Sequence, residues 1–374
     1  MIVRELSLQN FRNIADCTLT LGEHSNVLFG SNAQGKTNLL EGIYLFSTGK
    51  SFRAGRERDL IRFGCDAATL TLRFQFQARE QQAQIRLFRE GRKKEVTLNG
   101  VKLKTSEMLG SFSSVLFAPE HLNLVKEGPG ERRRFLDFAL SQLKPRYYAV
   151  LSAYQKTVAQ KNALLKDMAR FPQLGDTLGV WNEKLAANGA FLVMNRYQYL
   201  SRINTLAAGI HRDLSEGREE LSLRYLGFHE GLDDSGYRDL GAITQAFRRA
   251  LEERESEEIR AGVSLVGPHR DDFDILIGGE SCRIFGSQGQ QRSAVLSMKI
   301  AECEAARAVF GEYPVLLLDD ILSELDPQRQ SYILHHISGK QVVITTCDRD
   351  RFAGLAQQNL FEVENGTIRR QQGL

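Results

Sequence analysis

Eight consecutive residues near the start of the chain have the types and spacing that hold a phosphate group. They match the pattern Gly-x-x-x-x-Gly-Lys-Ser/Thr in full and are Gly30, Ser31, Asn32, Ala33, Gln34, Gly35, Lys36 and Thr37. The glycines let backbone amides turn inward around a β-phosphate, and the predicted helix that follows adds its positive end. Lys36 would neutralise β- and γ-phosphate oxygens, and Thr37 would hold Mg²⁺. The pattern therefore predicts a site for ATP and Mg²⁺.

Two adjacent carboxylates near the other end of the chain could complete this site. Asp319 and Asp320 follow the apolar run 315–318, which is typical of a strand buried on both faces. We expect Asp319 to hold Mg²⁺, directly or through a water molecule, and Asp320 to polarise an attacking water as a base. Apolar runs that end in an acid are common, so the pair predicts a metal and water site only together with the complete phosphate-binding pattern upstream.

Strands and helices at both ends of the chain must position these groups. The spacing of apolar residues predicts strands over 2–8, 25–29, 69–76, 84–88, 95–98, 101–103, 263–266, 273–277, 314–318 and 341–345. Asn-Gly at 99–100 and Gly-Gly at 278–279 each predict a hairpin turn. Helices are predicted over 37–46 and 290–310, so that a helix directly follows the phosphate-binding pattern.

The middle of the chain has a helical pattern. Between Arg132 and Ile210, apolar residues recur at intervals of three and four in two stretches, which the segment 171–175 separates. This pattern predicts a pair of helices that forms a lobe and not a long coiled coil. The predicted fold class is α/β, an ATPase head with mixed sheets that a helical, short coiled-coil-like lobe interrupts. The predicted domains are residues 1–125 and 261–374 for the head and 126–260 for the lobe.

The charges of this chain are unevenly distributed. The 374 residues include 49 Lys and Arg against 46 Asp and Glu, which gives a net charge of +3. Basic residues dominate 86–104 and 131–170, whereas acidic residues dominate 211–260. Basic stretches suit nucleic acid, and we expect contacts to duplex phosphates that ignore base sequence. The candidates are residues 86–104 with Lys50, Arg53, Arg56 and Arg58, whereas at least one of Arg132, Arg133 and Arg134 is expected to be structural.

Several classes of protein are disfavoured by what the sequence lacks. No apolar run approaches the ~18–20 residues that a membrane helix needs. The five cysteines form no Cys-x-x-Cys pair, so neither a zinc site nor a disulfide framework is indicated. The first residues lack the basic-then-apolar plan of a secretory leader. We therefore expect a cytoplasmic protein that does not associate with a membrane.

Further motifs give the chain a resemblance to a known family. Ser287-Gln-Gly289-Gln290 resembles the signature motif of ABC-type ATPases, and Ser323-Glu-Leu-Asp326 resembles their D-loop. The long segment between the phosphate-binding pattern and the signature is the layout of the SMC-like branch, which works on DNA. Within that branch the chain resembles the RecF family over nearly its whole length. The motifs that carry this resemblance lie at 8–13, 117–120, 132–137, 267–272 and 318–326.

The resemblance implies a dimer in which two ATPase heads face each other head to tail. ATP on the phosphate loop of one head would be capped by the signature helix of the other. The resemblance assigns nucleotide contacts to a further set of residues, which are Arg12, Asn13, Ser287, Gly289, Gln290 and Asp326. It also places Glu120 where related ATPases carry a glutamine that contacts metal or water. The residues alone leave open a strand-end role for Arg12 and Asn13 and a plain loop carboxylate for Glu120.

The resemblance also implies a function in DNA replication, repair and the SOS response. The family binds duplex DNA near single-strand gaps and junctions as an ATP-dependent homodimer, and with RecR and RecO it helps to load RecA. An SMC-like ATPase that organises DNA is the alternative, and it is disfavoured because no long heptad tract is present. A nuclease would need a further acidic module, and a transporter motor would not carry so long an insertion.

Two departures from the wider ABC pattern predict slow hydrolysis. Many of these ATPases have Glu where Asp320 stands, and the shorter side chain would hold water less well. Their switch histidine would fall near Thr345 and Thr346, where this sequence has none. We therefore expect a weak, DNA-stimulated ATPase that serves as a timer. The polar run from His269 to Asp272 is interpreted as a salt-bridged turn or interface element in preference to a metal site.

Overall fold

The computed structural model describes residues 1–227, 232–348 and 358–371. The chain forms two compact units. The first contains Met1–Leu122 and Val295–Leu374, and the second contains Asn123–Ala294. Among the described helices, none combines the length and the apolar character that crossing a lipid bilayer requires.

The helices and strands are numbered along the chain. The helices are α1 (Lys36–Thr48), α2 (Thr105–Met108), α3 (Asn123–Lys126), α4 (Pro129–Leu143), α5 (Pro145–Asp167), α6 (Leu178–Leu214), α7 (Leu240–Ala261), α8 (Cys282–Phe285), α9 (Gln288–Phe310) and α10 (Pro327–Ile337). The strands are β1 (Ile2–Phe11), β2 (Ile14–Thr20), β3 (Ser25–Phe29), β4 (Ala67–Phe76), β5 (Arg79–Phe88), β6 (Glu95–Leu98), β7 (Val101–Leu103), β8 (Ser114–Phe117), β9 (Leu221–Leu226), β10 (Asp272–Ile277), β11 (Glu280–Ser281), β12 (Val315–Asp319), β13 (Val342–Thr346), β14 (Gln358–Glu364) and β15 (Thr367–Gln371).

The first unit contains a sheet with the order β15-β14-β3-β13-β12-β8. Strands β14, β3, β13, β12 and β8 run parallel, and β15 pairs with β14 in the antiparallel sense. Every residue of β8, β12 and β13 is buried, because parallel strands carry helices on their faces and therefore read as continuous apolar runs. The predicted strands over 25–29, 314–318 and 341–345 are confirmed to within one residue at either end.

A second, antiparallel sheet of the first unit has the order β2-β1-β4-β5-β6-β7. Its strands alternate buried and less buried residues, as β4 shows with Ala68, Leu70, Leu72 and Phe74 on the buried face. The predicted hairpin at 99–100 is confirmed, since β6 pairs with β7 there. Asn99 and Gly100 have φ values of 51° and 79°, which is the conformation that a two-residue turn between twisted strands requires.

The second unit is helical with one small sheet. Helix α5 packs against α6, and α6 packs against α7, so the predicted helical pair on either side of 171–175 is confirmed. Strands β9, β10 and β11 form the sheet in the order β11-β10-β9. The turn at 278–279 joins β10 to β11 as predicted.

The predicted strand over 263–266 is wrong. These residues form an irregular segment, because side chains take the backbone donors that a neighbouring strand would use. The amide of Ser264 donates to Asn162 Oδ1 at 2.7 Å, and the amide of Leu265 donates to Glu258 Oε1 at 2.8 Å. Glu258 is itself fully buried and pairs with Lys161 at 2.5 Å. Alternating apolar residues cannot reveal such partners, since Asn162 lies 102 positions away in the sequence and Glu258 belongs to the preceding helix α7.

Candidate nucleotide-binding site

The candidate groups gather where the parallel strands of the first unit end. Gly30 follows β3, Asp319 ends β12, Cys347 follows β13, and Glu120 lies just after β8. Because these strands run parallel in one sheet, their carboxyl ends share one edge. In open α/β sheets that edge is where ligands bind.

The phosphate loop adopts a backbone that only small residues allow. Gly30, Ala33 and Gly35 have φ values of 151°, 65° and 110°. A Cβ atom on Gly30 would lie 2.4 Å from the carbonyl oxygen of Val363, and one on Gly35 would lie 2.9 Å from Asn13 Oδ1. Gly30 is therefore required by a close backbone neighbour as well as by its φ value, and Gly35 by its φ value. Residues 31–33 are exposed, so their side of the loop is accessible to a ligand.

Lys36 lies within this loop at the first position of α1. Its side chain is buried, and Nζ donates to the carbonyl oxygens of Gly30 and Ser31, the latter at 2.8 Å. The thiol of Cys347 lies 3.5 Å from Nζ and 2.9 Å from Asn32 Oδ1. A buried ammonium next to a helix amino terminus suits an anion of high charge.

Thr37 and Asp319 meet although 282 positions separate them in the chain. Thr37 Oγ1 donates to Asp319 Oδ1 at 2.8 Å. Thr345 Oγ1 donates to the same carboxylate oxygen at 2.7 Å and accepts from the amide of Asp320 at 3.0 Å. A hydroxyl beside a carboxylate is an oxygen set that suits Mg²⁺. The loop and this oxygen pair therefore fit a nucleotide phosphate chain and a hard divalent cation.

Asp320 stands directly beyond this oxygen pair. It has a φ of 47°, which is uncommon for a residue other than glycine and occurs often at functional sites. Partial burial raises the pKa of Asp320 above its usual value, and Asp319 adds to this, while Lys36 opposes it. A carboxylate with a raised pKa is a better proton acceptor than an exposed one.

Thr345 is a site residue that the sequence analysis did not identify. It appeared there only as a position without the histidine of other ABC-type ATPases. The pair of threonines at the end of an apolar strand was the available signal. The hydroxyl of Thr345 bonds to both neighbouring aspartates, whereas the hydroxyl of Thr346 bonds to the backbone of Asp348.

Arg12 and Asn13 both contact helix α1, which follows the phosphate loop, but they do so through different residues of that helix. Arg12 binds Glu41 of α1 through Nε and Nη2 at 2.9 and 2.7 Å. Asn13 Oδ1 accepts from Asn38 at 2.7 Å. Arg12 therefore braces α1 from the side, and Asn13 supports the first turn of the same helix.

Glu41 is a second residue that the sequence analysis missed. It is fully buried, and it also pairs with Arg53 at 2.8 Å and accepts from the hydroxyl of Ser51. Burial by itself would raise the pKa of Glu41, but the bonds from Arg12 and Ser51 and the charge of Arg53 outweigh it and hold the pKa below its usual value. An acid within the apolar pattern of residues 37–46 was the signal.

The other predicted residues of the first unit are Glu120 and Asp326. Glu120 is exposed in a short 3-10 turn, Pro119–Leu122. Asp326 caps α10, since its carboxylate accepts from the amide of Arg329 at 3.1 Å and pairs with the Arg329 guanidinium. Asp326 thus has a local role in starting a helix.

The signature residues begin α9 in the second unit. Gln290 Oε1 accepts from the amide of Ser287 at 2.8 Å, and Ser287 Oγ accepts from the amide of Gln290 at 3.2 Å. This reciprocal pair is a capping box, which orients the amide groups of a helix start. Gln290 Nε2 also donates to Glu219 at 3.0 Å. Gly289 lies between them, and Ser287 is exposed.

The predicted basic residues include both ion-paired and exposed side chains. Arg132 is buried and binds Asp272 at 2.6 and 2.8 Å, so the prediction that one of the three consecutive arginines is structural is confirmed. Lys94 pairs with Glu57 at 2.5 Å and Lys102 with Glu95 at 3.0 Å. The exposed candidates include Lys50, Arg56, Arg58, Arg86, Arg92 and Lys93.

The run from His269 to Asp272 forms a salt-bridged turn, as predicted. Asp272 carries the ion pair with Arg132, and Arg133 donates to the backbone oxygen of Asp271 at 2.8 Å. His269 Nδ1 lies 2.8 Å from the hydroxyl of Tyr154. Burial lowers the pKa of His269 to about 4, so the imidazole is neutral at pH 7.

Comparison with known proteins places this arrangement in a family. The family described as the RecF/RecN/SMC N terminal domain matches residues 2–369. A DNA replication and repair protein RecF of Ruminiclostridium cellulolyticum is 39% identical over 372 residues, which cover 98% of this chain and 99% of the relative. The RecF of Clostridium botulinum (strain ATCC 19397 / Type A) is 37% identical over 374 residues, covering 99% and 100%.

Solved structures agree with these relatives. A structure of the recombination mediator protein RecF-ATPrS in the RecFOR pathway has a TM-score of 0.92 and 34% identity, covering 99% of this chain and 98% of that one. The corresponding RecF-ATP structure has a TM-score of 0.91 and 33% identity, over the same shares of both chains. An Smc head domain from Pyrococcus furiosus, at a TM-score of 0.55 and 16% identity, shares the fold. Together with the mixed α/β head described above, these matches show that the chain belongs to the RecF family.

Proposed function

We propose that this chain is an ATP-dependent recombination mediator that binds DNA in replication and repair. The contact of Thr37 Oγ1 with Asp319 Oδ1 at 2.8 Å is the observation that carries the proposal. It joins the phosphate loop to the carboxylate of a distant strand, as a nucleotide site with a divalent cation needs. The RecF-ATP and RecF-ATPrS structures of relatives support ATP as the nucleotide.

Within this site each residue would have a separate task. The loop amides and Lys36 would hold the phosphates, and Thr37 with Asp319 would hold Mg²⁺. The cation supplies charge neutralisation at the phosphate oxygens. Thr345 would keep Asp319 and Asp320 in place, and Asp320 would accept a proton from the attacking water. A single short carboxylate for this last task agrees with weak, DNA-stimulated turnover that serves as a timer.

Two copies of the chain would join through the nucleotide. The capped start of α9 presents Ser287 to solvent with its backbone amides oriented. Such a helix start binds anions without a cationic side chain, so it can receive the γ-phosphate end of ATP held by the loop of a second copy. Binding of ATP would then stabilise the dimer, and hydrolysis would release it.

The exposed basic residues of the first unit would contact duplex DNA near single-strand gaps. The segment that carries Arg53 is tied to Glu41 on α1, five residues beyond Lys36. A change at the loop can therefore reach the basic segment through one helix. The RecFOR pathway of the solved relatives supports RecR and RecO as partners, with loading of RecA as the outcome.

The test of this proposal is the mass of the protein by light scattering, with and without ATP and Mg²⁺, together with duplex DNA binding. The variant Lys36→Met removes the charge within the loop. We expect ATP to convert monomer to dimer and to strengthen DNA binding in the parent but not in this variant. Lys156→Met, which changes an exposed lysine of α5, should behave as the parent does. Mass and DNA affinity that ignore ATP in the parent would refute the gated mechanism.

A further inference from the structure

Phe63 is the most exposed large apolar side chain among those described, with 98% of its surface accessible. It occupies the second position of a tight turn, in which the amide of Cys65 donates to the carbonyl of Arg62 at 3.1 Å. Gly64 follows with a φ of 81°, the value that a type II turn requires at its third position. The turn geometry therefore directs Phe63 into solvent. Single exposed apolar side chains are common on protein surfaces, so what points to a partner of Phe63 is its rigid support and the charges around it.

The turn is held firmly at both ends. The amide of Arg62 donates to the carbonyl of Asn10 at 2.8 Å. The guanidinium of Arg89 donates to the carbonyls of Cys65 and Arg62 at 2.8 and 3.0 Å, and the amide of Arg89 donates to the backbone carbonyl of Asp66 at 2.9 Å. These bonds tie the turn to the ends of β1 and β5. Phe63 is thus presented on a rigid support, which lowers the entropy that a binding contact loses.

The surroundings of this turn are cationic. Arg56, Arg62, Arg92 and Lys93 are exposed, and none of them has an ion pair with a carboxylate in the described part of the chain. The turn that contains Arg92 and Lys93 is brought to this segment by the ion pair of Lys94 with Glu57 at 2.5 Å. Four exposed carboxylates also lie in these segments, but Asp59 pairs with Arg58 at 3.9 Å and Glu57 with Lys94. The four cations therefore face only Asp66 and Glu90 as exposed carboxylates outside these ion pairs.

We infer that Phe63 stacks on the exposed base at a junction between duplex and single-stranded DNA, while the neighbouring cations hold the backbone. This inference rests on the proposed DNA-binding function and assigns it a junction-reading residue. Aromatic side chains stack on any base, because every base has a π-face. A continuous duplex exposes no base face, whereas the edge of a gap exposes one. The contact would therefore distinguish structure and not sequence.

A nucleic acid fits this surface better than a protein does. Hot spots of protein interfaces lie in apolar patches that exclude water around the anchor. Phe63 is flanked in the turn by Arg62 and Gly64, and the nearby exposed side chains are charged. An isolated ring among cations is instead the combination found in channels for single-stranded nucleic acid.

The experiment compares two DNA circles of the same sequence, one covalently closed and one with a single-strand gap. The base at the edge of the gap is 2-aminopurine, whose fluorescence falls when it is stacked. We expect Phe63→Ala to weaken binding to the gapped circle by about 10- to 100-fold, with no change for the closed circle. The parent should quench 2-aminopurine, Phe63→Ala should not, and Phe63→Trp should restore both effects. Phe171→Ala, which removes an aromatic side chain of the second unit that is 52% exposed, is the control and should match the parent.

Equal affinity of Phe63→Ala and the parent for the gapped circle, with unchanged quenching, would overturn the inference and would point to a protein partner at this turn. Equal losses on both circles would also overturn it, since Phe63 would then serve duplex binding in general. A parent that binds neither circle contradicts the proposed function itself. Because Phe63 contributes nothing to the core, the alanine variant should fold as the parent does.

Discussion

The hydroxyl of Thr345 connects the two carboxylates of the candidate site. It donates to Asp319 and accepts from the amide of Asp320, so one side chain sets the positions of both acids. Replacing a group that orients a metal ligand typically lowers metal affinity by about 10- to 100-fold, and Thr345 has this position relative to the candidate ligand Asp319. The candidate site therefore depends on the ends of β12 and β13 as well as on the loop that follows β3.

At this residue scale we predict that Thr345→Val weakens the site without unfolding the protein. Valine keeps the volume but loses both hydrogen bonds. The Mg²⁺ concentration that half-saturates ATP hydrolysis should rise by about 10-fold, as measured by phosphate release over a Mg²⁺ titration. Thr346→Val is the matched control, because the Thr346 hydroxyl bonds to the backbone of Asp348. Similar Mg²⁺ curves for both variants would remove Thr345 from the site.

Helix α1 joins the phosphate loop to the segment that carries the basic candidates. It begins at Lys36, and five residues later Glu41 receives Arg12 from the end of β1 and Arg53 from the following segment. A buried carboxylate needs such partners, because burial without them would strongly penalise its charge. The ion pairs of Glu41 with Arg12 and Arg53 thus position α1, and they also hold the segment that carries Arg53.

At the element scale we predict that Glu41→Gln lowers the free energy of unfolding by about 3 kcal/mol at pH 7. Because the pKa of Glu41 is held below its usual value, the parent gains stability above about pH 4 and loses it as pH falls through the folded pKa. The difference between variant and parent should therefore shrink in acid. Urea unfolding between pH 7 and about pH 3 measures it.

The control for this variant is Glu57→Gln. Glu57 pairs with Lys94 while half-exposed, and exposed pairs contribute at most about 1 kcal/mol. A pH-independent gap between Glu41→Gln and the parent would show that the carboxylate charge is not what holds Arg12 and Arg53.

The charges of the molecule as a whole nearly cancel, although individual segments carry a local excess of one sign. The net charge is +3, yet exposed cations without ion pairs gather near the turn of Phe63, and acids gather over 211–260. Association with DNA depends on the local surface and on the release of counterions from the phosphates. A near-neutral protein can therefore bind DNA in a way that depends strongly on salt.

At the scale of the whole molecule we predict that duplex affinity falls by roughly 150-fold between 50 and 200 mM salt, as expected for about four phosphate contacts. Two duplexes of unrelated sequence should give the same slope. Replacing both Arg92 and Lys93 by Gln should make the slope shallower by about two, whereas Lys156→Gln should leave it unchanged. Fluorescence anisotropy over a salt series measures this, and affinity that is insensitive to salt would count against phosphate contacts.

Sequence alone determined the groups whose partners are close in the chain. The phosphate loop and the helix that follows it, the apolar strand before Asp319 and the hairpin at 99–100 all follow from local patterns. Backbone conformation and the burial of an apolar run depend on a few neighbouring residues, so spacing is enough to predict them. The resemblance then supplied the family, which the comparisons confirm.

Tertiary structure decided the contacts between residues that are distant in the chain. Such contacts join Glu41 to Arg12, Thr345 to two aspartates, and Asn162 to the amide of Ser264 where a strand was predicted over 263–266. Buried polar groups must find hydrogen-bond partners wherever the fold provides them. The spacing of apolar residues records which face of an element is buried, but not which distant side chain meets it. For that physical reason the loop, Thr37 and Asp319 could be proposed as candidate site residues from the sequence, whereas Thr345, which contacts Asp319, and Glu41, which lies on α1, could not.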